Sequence, residues 1–147
     1  MNGALVTGSG QRIGRCIAQT LAADGWHVIV HYNASRGSAE NTVRAIVDDG
    51  GKATAVQADL SSAQSCGGLI KTSGELTSGL ICLVNNASVF IQDRIADVDA
   101  MSFDRSMAVN LRAPVLLSQA FAEQLPLGEE GVIINILDQK LMNTNPD

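Results

Sequence analysis

Leu5-Val6-Thr7-Gly8-Ser9-Gly10-Gln11-Arg12-Ile13-Gly14 is a short apolar run that passes through small residues into a helical pattern. Gly8 and Gly10 lack a Cβ, so the backbone there tolerates positive φ and can come close to a bound group. Gly14, one helical turn on, lets the helix lie close to the sheet. The first amides of such a helix have no intrahelical acceptor, and with the positive end of the helix dipole they attract an anion. The stretch reads as a phosphate cradle. Its plain alternative is an ordinary strand-to-helix turn.

Context favours the cradle. The glycines follow Ala4-Leu5-Val6, precede an apolar face of Ile13, Cys16, Ile17 and Leu21, and begin a unit whose second strand is His27–Tyr32. That is a βαβ nucleotide-binding pattern. Roughly 20 residues past the glycine turn, an NAD site would place an acid to hold the ribose 2′-hydroxyl. From Trp26 to Ala39 there is no Asp or Glu. Asn33, Ser35 and Arg36, with Arg12 of the turn, instead offer donors for a 2′-phosphate, which favours NADP(H) over NAD. The alternative for Arg36 is a solvated loop residue.

Further along, a second helix starts after Ser38, turns Ala39, Val43, Ile46 and Val47 inward, and stops at Gly50-Gly51. A third strand spans Ala53–Ala58. The segment from Ala63 to Leu76 is expected to be a short or frayed helix, because Gly67, Gly68 and Gly74 each cost about 1 kcal/mol relative to Ala. Leu80–Val84 is apolar on both faces, as a central parallel strand must be. A fourth helix runs from about Asp99 to Leu125 and is apolar nearly all round at Met107, Leu111, Val115, Leu116 and Phe121. It needs a further helix or a subunit partner to cover it, so a homo-oligomer through this helix is expected. Pro114 supplies no N–H, which frees the carbonyl of Asn110 and predicts a kink there. A fifth strand, Val132–Leu137, leads to Asp138.

The chain has 147 residues, 46% of them apolar and 17% charged, with a net charge of −5. This argues for one domain rather than disorder, and leaves no basic face for nucleic acid or an anionic membrane. No apolar run reaches the roughly 18 residues of a membrane span, and no signal-peptide pattern precedes the first strand, so the expectation is cytoplasmic. Cys16, Cys66 and Cys82 lack metal-like spacing and read as reduced fillers. His27 and His31 have no partner nearby in sequence, and no metal site is expected.

Thr7-Gly8-x-x-x-Arg12-Ile13-Gly14 resembles the Thr-Gly-x-x-x-Gly-x-Gly turn of the short-chain dehydrogenase/reductase family, with Arg12 in place of the middle glycine as in its pteridine reductase branch. Asn85-Asn86-Ala87-Ser88 resembles that family's Asn-Asn-Ala-Gly, and Ser88 with Phe90 again matches the branch. The resemblance implies an α/β, Rossmann-type doubly wound parallel sheet in strand order 3-2-1-4-5. Gly8, Gly10, Arg12, Ile13 and Gly14 would bind the cofactor. It also implies that Asp59, with Leu60 beside it, binds the adenine; a turn leading into a helix is the alternative for Asp59. Asn86, Ala87 and Ser88 would line the nicotinamide ribose. Phe90 would stack on a flat pterin, or else anchor its loop to the core.

Two further residues carry over as catalytic. Asn110 would hold the water that links the active-site lysine to solvent. Asp138 stands where most of the family has a serine, and its carboxyl would orient a pterin ring or supply a proton; a turn cap is the alternative. The implied activity is NADPH-dependent hydride transfer to a pterin, dihydrofolate-like or other carbonyl or imine compound. The family's Tyr-x-x-x-Lys pair is missing: the sole tyrosine is Tyr32, and Lys140 has no Tyr four residues before it. The chain is therefore expected to be truncated, with its last strands and helices lacking and an apolar fifth strand at the edge. The competing expectation is a non-catalytic nucleotide-binding fragment.

Overall fold

Five strands alternate with helices along the chain: β1 (Gly3–Val6), α1 (Arg12–Ala23), β2 (His27–Tyr32), α2 (Arg36–Asp48), β3 (Lys52–Gln57), α3 (Ala63–Leu76), β4 (Leu80–Asn85), α4 (Ala100–Met107), a π turn (Ala108–Arg112), α5 (Ala113–Gln124) and β5 (Val132–Asn135). These come from a computed structural model that describes residues 2–138; Lys140 and Asn145-Pro146-Asp147 lie outside the described residues. The strands form one parallel sheet in the order β3-β2-β1-β4-β5, the doubly wound Rossmann-type arrangement that the resemblance implies.

Side chains of successive strand residues point to opposite faces, which sorts the core into two layers. Ala4, Val6, Val28, Val30, Cys82 and Val84 pack with Ala18 and Ala22 of α1 and Ala39 and Ile46 of α2. Leu5, Ile29 and Leu83 pack on the other face with Cys66, Leu69 and Ile70 of α3 and Ala113, Leu117 and Phe121 of α5. The strand order reverses between β1 and β4. In open sheets of this kind the crevice for a ligand lies at that reversal, beyond the carboxyl ends of the strands.

Several expectations need correction. The buried stripe of α1 is Gly14, Ala18 and Ala22, with Ile17 and Leu21 half-buried, while Ile13 and Cys16 face solvent. Small residues let the helix lie close to the sheet, so apolar size was the wrong guide. α2 begins at Arg36 rather than after Ser38; Thr42 takes a buried place and Val47 is exposed. α3 is unbroken. Gly67 and Gly68 face open space, a Cβ on Gly74 would lie 2.7 Å from Oε1 of Gln124, and Cys66, Leu69, Ile70 and Ser73 are buried. Tertiary packing of that face offsets the glycine penalty.

The expected fourth helix is two α-helices joined by the π turn. Ala113 N–H bonds the carbonyl of Ala108, one residue further back than in an α-helix. Pro114 then falls in the first turn of α5, where a missing N–H leaves no hydrogen bond broken. Nor is this helix buried all round: Met107, Leu111 and Val115 are exposed, whereas Leu117 and Phe121 are core. No helix among the described residues is long and apolar enough to cross a membrane.

Candidate functional site

The glycine turn leaves β1 at the carboxyl edge of the sheet. Gly8 has φ +63, and a Cβ there would stand 2.9 Å from Cα of Ala87. A Cβ on Gly10 would lie 3.1 Å from the backbone N of Ala39, and one on Gly14 2.5 Å from both Nδ2 of Asn86 and the carbonyl O of Gly8. The glycines that the sequence assigns to ligand approach and sheet packing thus allow the turn to seat against the β4 loop, against α2 and against itself. The chain comes this close only without side chains.

Hydrogen bonds lock that seating. Thr7 Oγ1 donates to the carbonyl of Val84 (3.2 Å) and accepts from the N–H groups of Asn86 (2.9 Å) and Ala87 (3.0 Å). Asn86 Nδ2 donates back to the carbonyls of Thr7 (2.8 Å) and Gly8 (3.3 Å). Thr42 Oγ1, from α2, donates to the carbonyl of Gly10 at 3.0 Å. On the β2 side, the Gly8 N–H donates to Nδ1 of His31 (3.0 Å) and the Ser9 N–H to the His31 carbonyl (3.1 Å).

The Gly8 and Ser9 amides are engaged in this way, whereas those of Arg12, Ile13 and Gly14 stand at the start of α1. They have no intrahelical acceptor, and the Gln11 side chain caps none of them. Arg12 adopts φ +55, a left-handed conformation that costs an L-residue about 1–2 kcal/mol. The backbone here is made for glycine, which accounts for the residue usual at this position of the motif. A row of uncapped amides at a helix start has the chemistry to take a diphosphate.

Beyond β2, Asn33 accepts from Gln57 Nε2 through its carbonyl at 3.3 Å. Ser35 occupies the N-cap of α2 without a side-chain bond. Arg36 is exposed and donates from Nε to Glu40 at 2.7 Å. The structure places all three at the carboxyl edge of β2, with Arg36 paired one turn along its own helix.

Asp59 closes a tight turn with Ser61. Its Oδ1 accepts from the Ser61 hydroxyl (2.8 Å) and the Ser61 N–H (2.9 Å), and these bonds, the hydroxyl first, hold its carboxyl below the usual range. Leu60 is buried in the core. Arg112, in the π turn, donates to the Ser61 carbonyl at 2.6 Å.

On the other side of the crevice, Asn85 Nδ2 donates to Asn135 Oδ1 at 2.9 Å and braces β4 against β5. Ala87 is half-buried and Ser88 exposed. At Asn110 the bonds displayed are those of the side chain. Its Nδ2 donates to the Val89 carbonyl and its Oδ1 accepts from the Val89 N–H, both at 2.8 Å. That clamp holds the loop carrying Phe90, which is 91% exposed and so does not anchor the loop in the core. The Ile136 N–H bonds the Asn85 carbonyl at 2.9 Å, which brings Asp138, two residues on, to the same edge of the sheet.

The turn, Asn86–Ser88, Asn110 and Asp138 are therefore gathered along the carboxyl ends of β1, β4 and β5. Sequence reasoning missed His31, Thr42 and Arg112. Polar residues inside an apolar strand or on the inward stripe of a helix were the available signal for the first two; for Arg112 there was none.

The sequence pattern that defines the short chain dehydrogenase family matches residues 2–143. An uncharacterised oxidoreductase of Methylorubrum extorquens is 41% identical over 133 residues, which cover 90% of this chain and 53% of that protein. The 3-oxoacyl-[acyl-carrier-protein] reductase of a Synechocystis species is 34% identical, over 97% of this chain and 58% of the reductase. Among solved structures, the FolM alternative dihydrofolate reductase 1 of Brucella canis, complexed with NADP, superposes with a TM-score of 0.91 at 38% identity, over 98% of this chain and 57% of that one. The chain thus spans somewhat more than half the length of these relatives. With nearly every residue inside the family pattern and the sheet superposing on a solved relative, this chain belongs to the short chain dehydrogenase family.

Proposed function

We propose that the protein carrying this chain is an NADPH-dependent reductase acting on a pterin or dihydrofolate-like compound. The observation that carries the reading is the uncapped start of α1 at Arg12, with no acid between Trp26 and Ala39. The likeness to a dihydrofolate reductase crystallised with NADP supports both cofactor and substrate class. A second reading, reduction of an ordinary ketone, is supported by the likeness to a 3-oxoacyl-[acyl-carrier-protein] reductase.

A nicotinamide dinucleotide, when bound, supplies the hydride. The amides of Arg12, Ile13 and Gly14 hold the diphosphate, with Gly8 and Gly10 giving the turn its shape. Arg12, Asn33, Ser35 and Arg36 hold the 2′-phosphate, while Asp59 and Leu60 border the adenine. Asn86, Ala87 and Ser88 line the ribose. Phe90 offers its exposed ring to a flat substrate, Asp138 orients it or gives it a proton, and Asn110 keeps the Phe90 loop in place. Residues 1–147 form one nucleotide-binding domain. Met107, Leu111 and Val115, spaced at helical intervals and exposed, form the face for a second copy. Three free cysteines and a need for NADPH suit the reducing cytoplasm.

The test uses the full open reading frame that encodes this chain. Calorimetry is expected to show NADPH bound more tightly than NADH, and absorbance to show NADPH oxidised in the presence of a dihydropterin. A protein that binds neither dinucleotide overturns the reading. Residues 1–147 alone, which lack a Tyr-x-x-x-Lys pair, are expected to oxidise no NADPH.

A further inference from the structure

His31 sits in β2, 2% exposed, between the glycine turn and the end of β3. Its two ring nitrogens have partners of fixed character. The Gly8 N–H can only donate, so Nδ1 at 3.0 Å must be the unprotonated acceptor. The Ala58 carbonyl can only accept, so Nε2 at 3.1 Å must carry the hydrogen. Only the neutral Nε2–H tautomer satisfies both. A proton on Nδ1 would point N–H at N–H within a buried site and break the bond to Gly8.

The same residue holds the next amide through its own carbonyl, since Ser9 N–H bonds it at 3.1 Å. Two successive amides of the turn are thus tied to one residue of β2, while Thr7 and Asn86 tie the other side of the turn to β4. We propose that His31 is a positioning residue of the dinucleotide site: ring and carbonyl together set the Gly8-Ser9 turn so that the first amides of α1 face the diphosphate, and the hold persists only while the ring is neutral. The inference rests on the dinucleotide reading above.

Burial pushes the His31 imidazole below its ordinary value, and the Ala58 bond opposes this in part. The surrounding elements leave the ring free of a close charge partner. β1 and Thr7 carry no ionisable side chain. The turn carries Arg12, β2 carries His27 and Tyr32, and β3 carries Lys52 at its far end, with Asp59 bonded to Ser61. On the same sheet face α3 carries Lys71, Glu75 and Cys66, whose thiol is pushed up by burial and so stays uncharged, α5 carries Glu123, and the π turn carries Arg112, which donates to the Ser61 carbonyl. On the opposite face α1 carries Arg15 and α2 carries Arg36, Glu40, Arg44 and Asp48. Affinity for the dinucleotide is full at neutral pH and declines as pH falls through the folded-state value of His31, because the ligand favours the neutral form.

The experiment measures NADPH affinity of the full open-reading-frame protein by calorimetry from mildly acidic to neutral pH, for the wild type and for His31→Asn, His31→Leu and His27→Gln. The Asn amide oxygen stands where Nδ1 stands and does not titrate. His31→Asn is expected to bind within about threefold of wild type near neutral pH and to lose the acid-side decline, and His31→Leu to bind about tenfold more weakly. His27→Gln should follow the wild-type profile. The ligand's own phosphate ionisation is common to all and cancels in the ratios. Nitrogen NMR of the wild-type ring, which needs no variant to fold, should show Nε2–H with Nδ1 unprotonated at neutral pH. Wild-type affinity in His31→Leu, an unchanged acid decline in His31→Asn, or an Nδ1–H tautomer each overturns the inference alone. Failure of the wild type to bind NADPH or NADH sinks the dinucleotide reading and this inference with it.

Discussion

Val28, Ile29 and Val30 of β2 are wholly buried, whereas Val132, Ile133 and Ile134 of β5 keep 45%, 39% and 44% of their surface in water. In the sequence the two runs are of one kind, short and β-branched. β2 lies between β1 and β3 with helices on both faces; β5 pairs only with β4 among the described residues and has little above or below it. An apolar run therefore records the environment a strand is suited to, and its neighbours decide whether it has that environment. Long apolar edges are prone to pair with other chains.

The largest effect that would sharpen this contrast comes from paired truncations within residues 1–147. Ile29→Ala should cost about 3–4 kcal/mol in chemical denaturation, and Ile133→Ala well under half of that, because a cavity forms only where the side chain is enclosed. Equal costs in the short chain would break the comparison.

A smaller effect tests what makes the covered half cohere. Thr7→Val keeps shape but strips one acceptor from two amides and one donor from Val84. The expected loss is about 2 kcal/mol, read from the denaturation midpoint at constant slope. The smallest effect has the opposite sign. Arg12→Gly relieves a left-handed arginine, and should raise stability by about 1 kcal/mol while reducing the preference for NADPH over NADH, as measured by calorimetry. A destabilised Arg12→Gly would mean that the guanidinium packs where the backbone argument assigns it only a binding role.

The site was legible to different depths. Gly8, Gly14 and the apolar strand before them announce a turn whatever their partners are, since few other arrangements need so many missing Cβ atoms. Asn110 could be singled out because Pro114 follows four residues later, yet the job of its side chain depends on Val89, a distant residue in sequence. Asp59 and Arg36 show the reverse difficulty. Each has a plausible ligand role and an ordinary local one, and the local bonds to Ser61 and Glu40 are what the structure displays. His31 was passed over because its partners, Gly8 and Ala58, lie 23 and 27 positions away.

By itself the sequence determined the alternation of strands and helices, the place of the glycine turn and the lack of an acid between Trp26 and Ala39. All of these follow from periodicity, missing Cβ atoms and charge within a few residues. Only the tertiary structure decided that the glycines seat the turn against Ala87 and Ala39, that three small residues face the sheet from α1, that the helix around Pro114 opens into a π turn, and that His31 ties the Gly8-Ser9 turn to β2. Those outcomes rest on contacts between segments far apart in the chain, and such contacts have no local signature until the sheet brings the segments together.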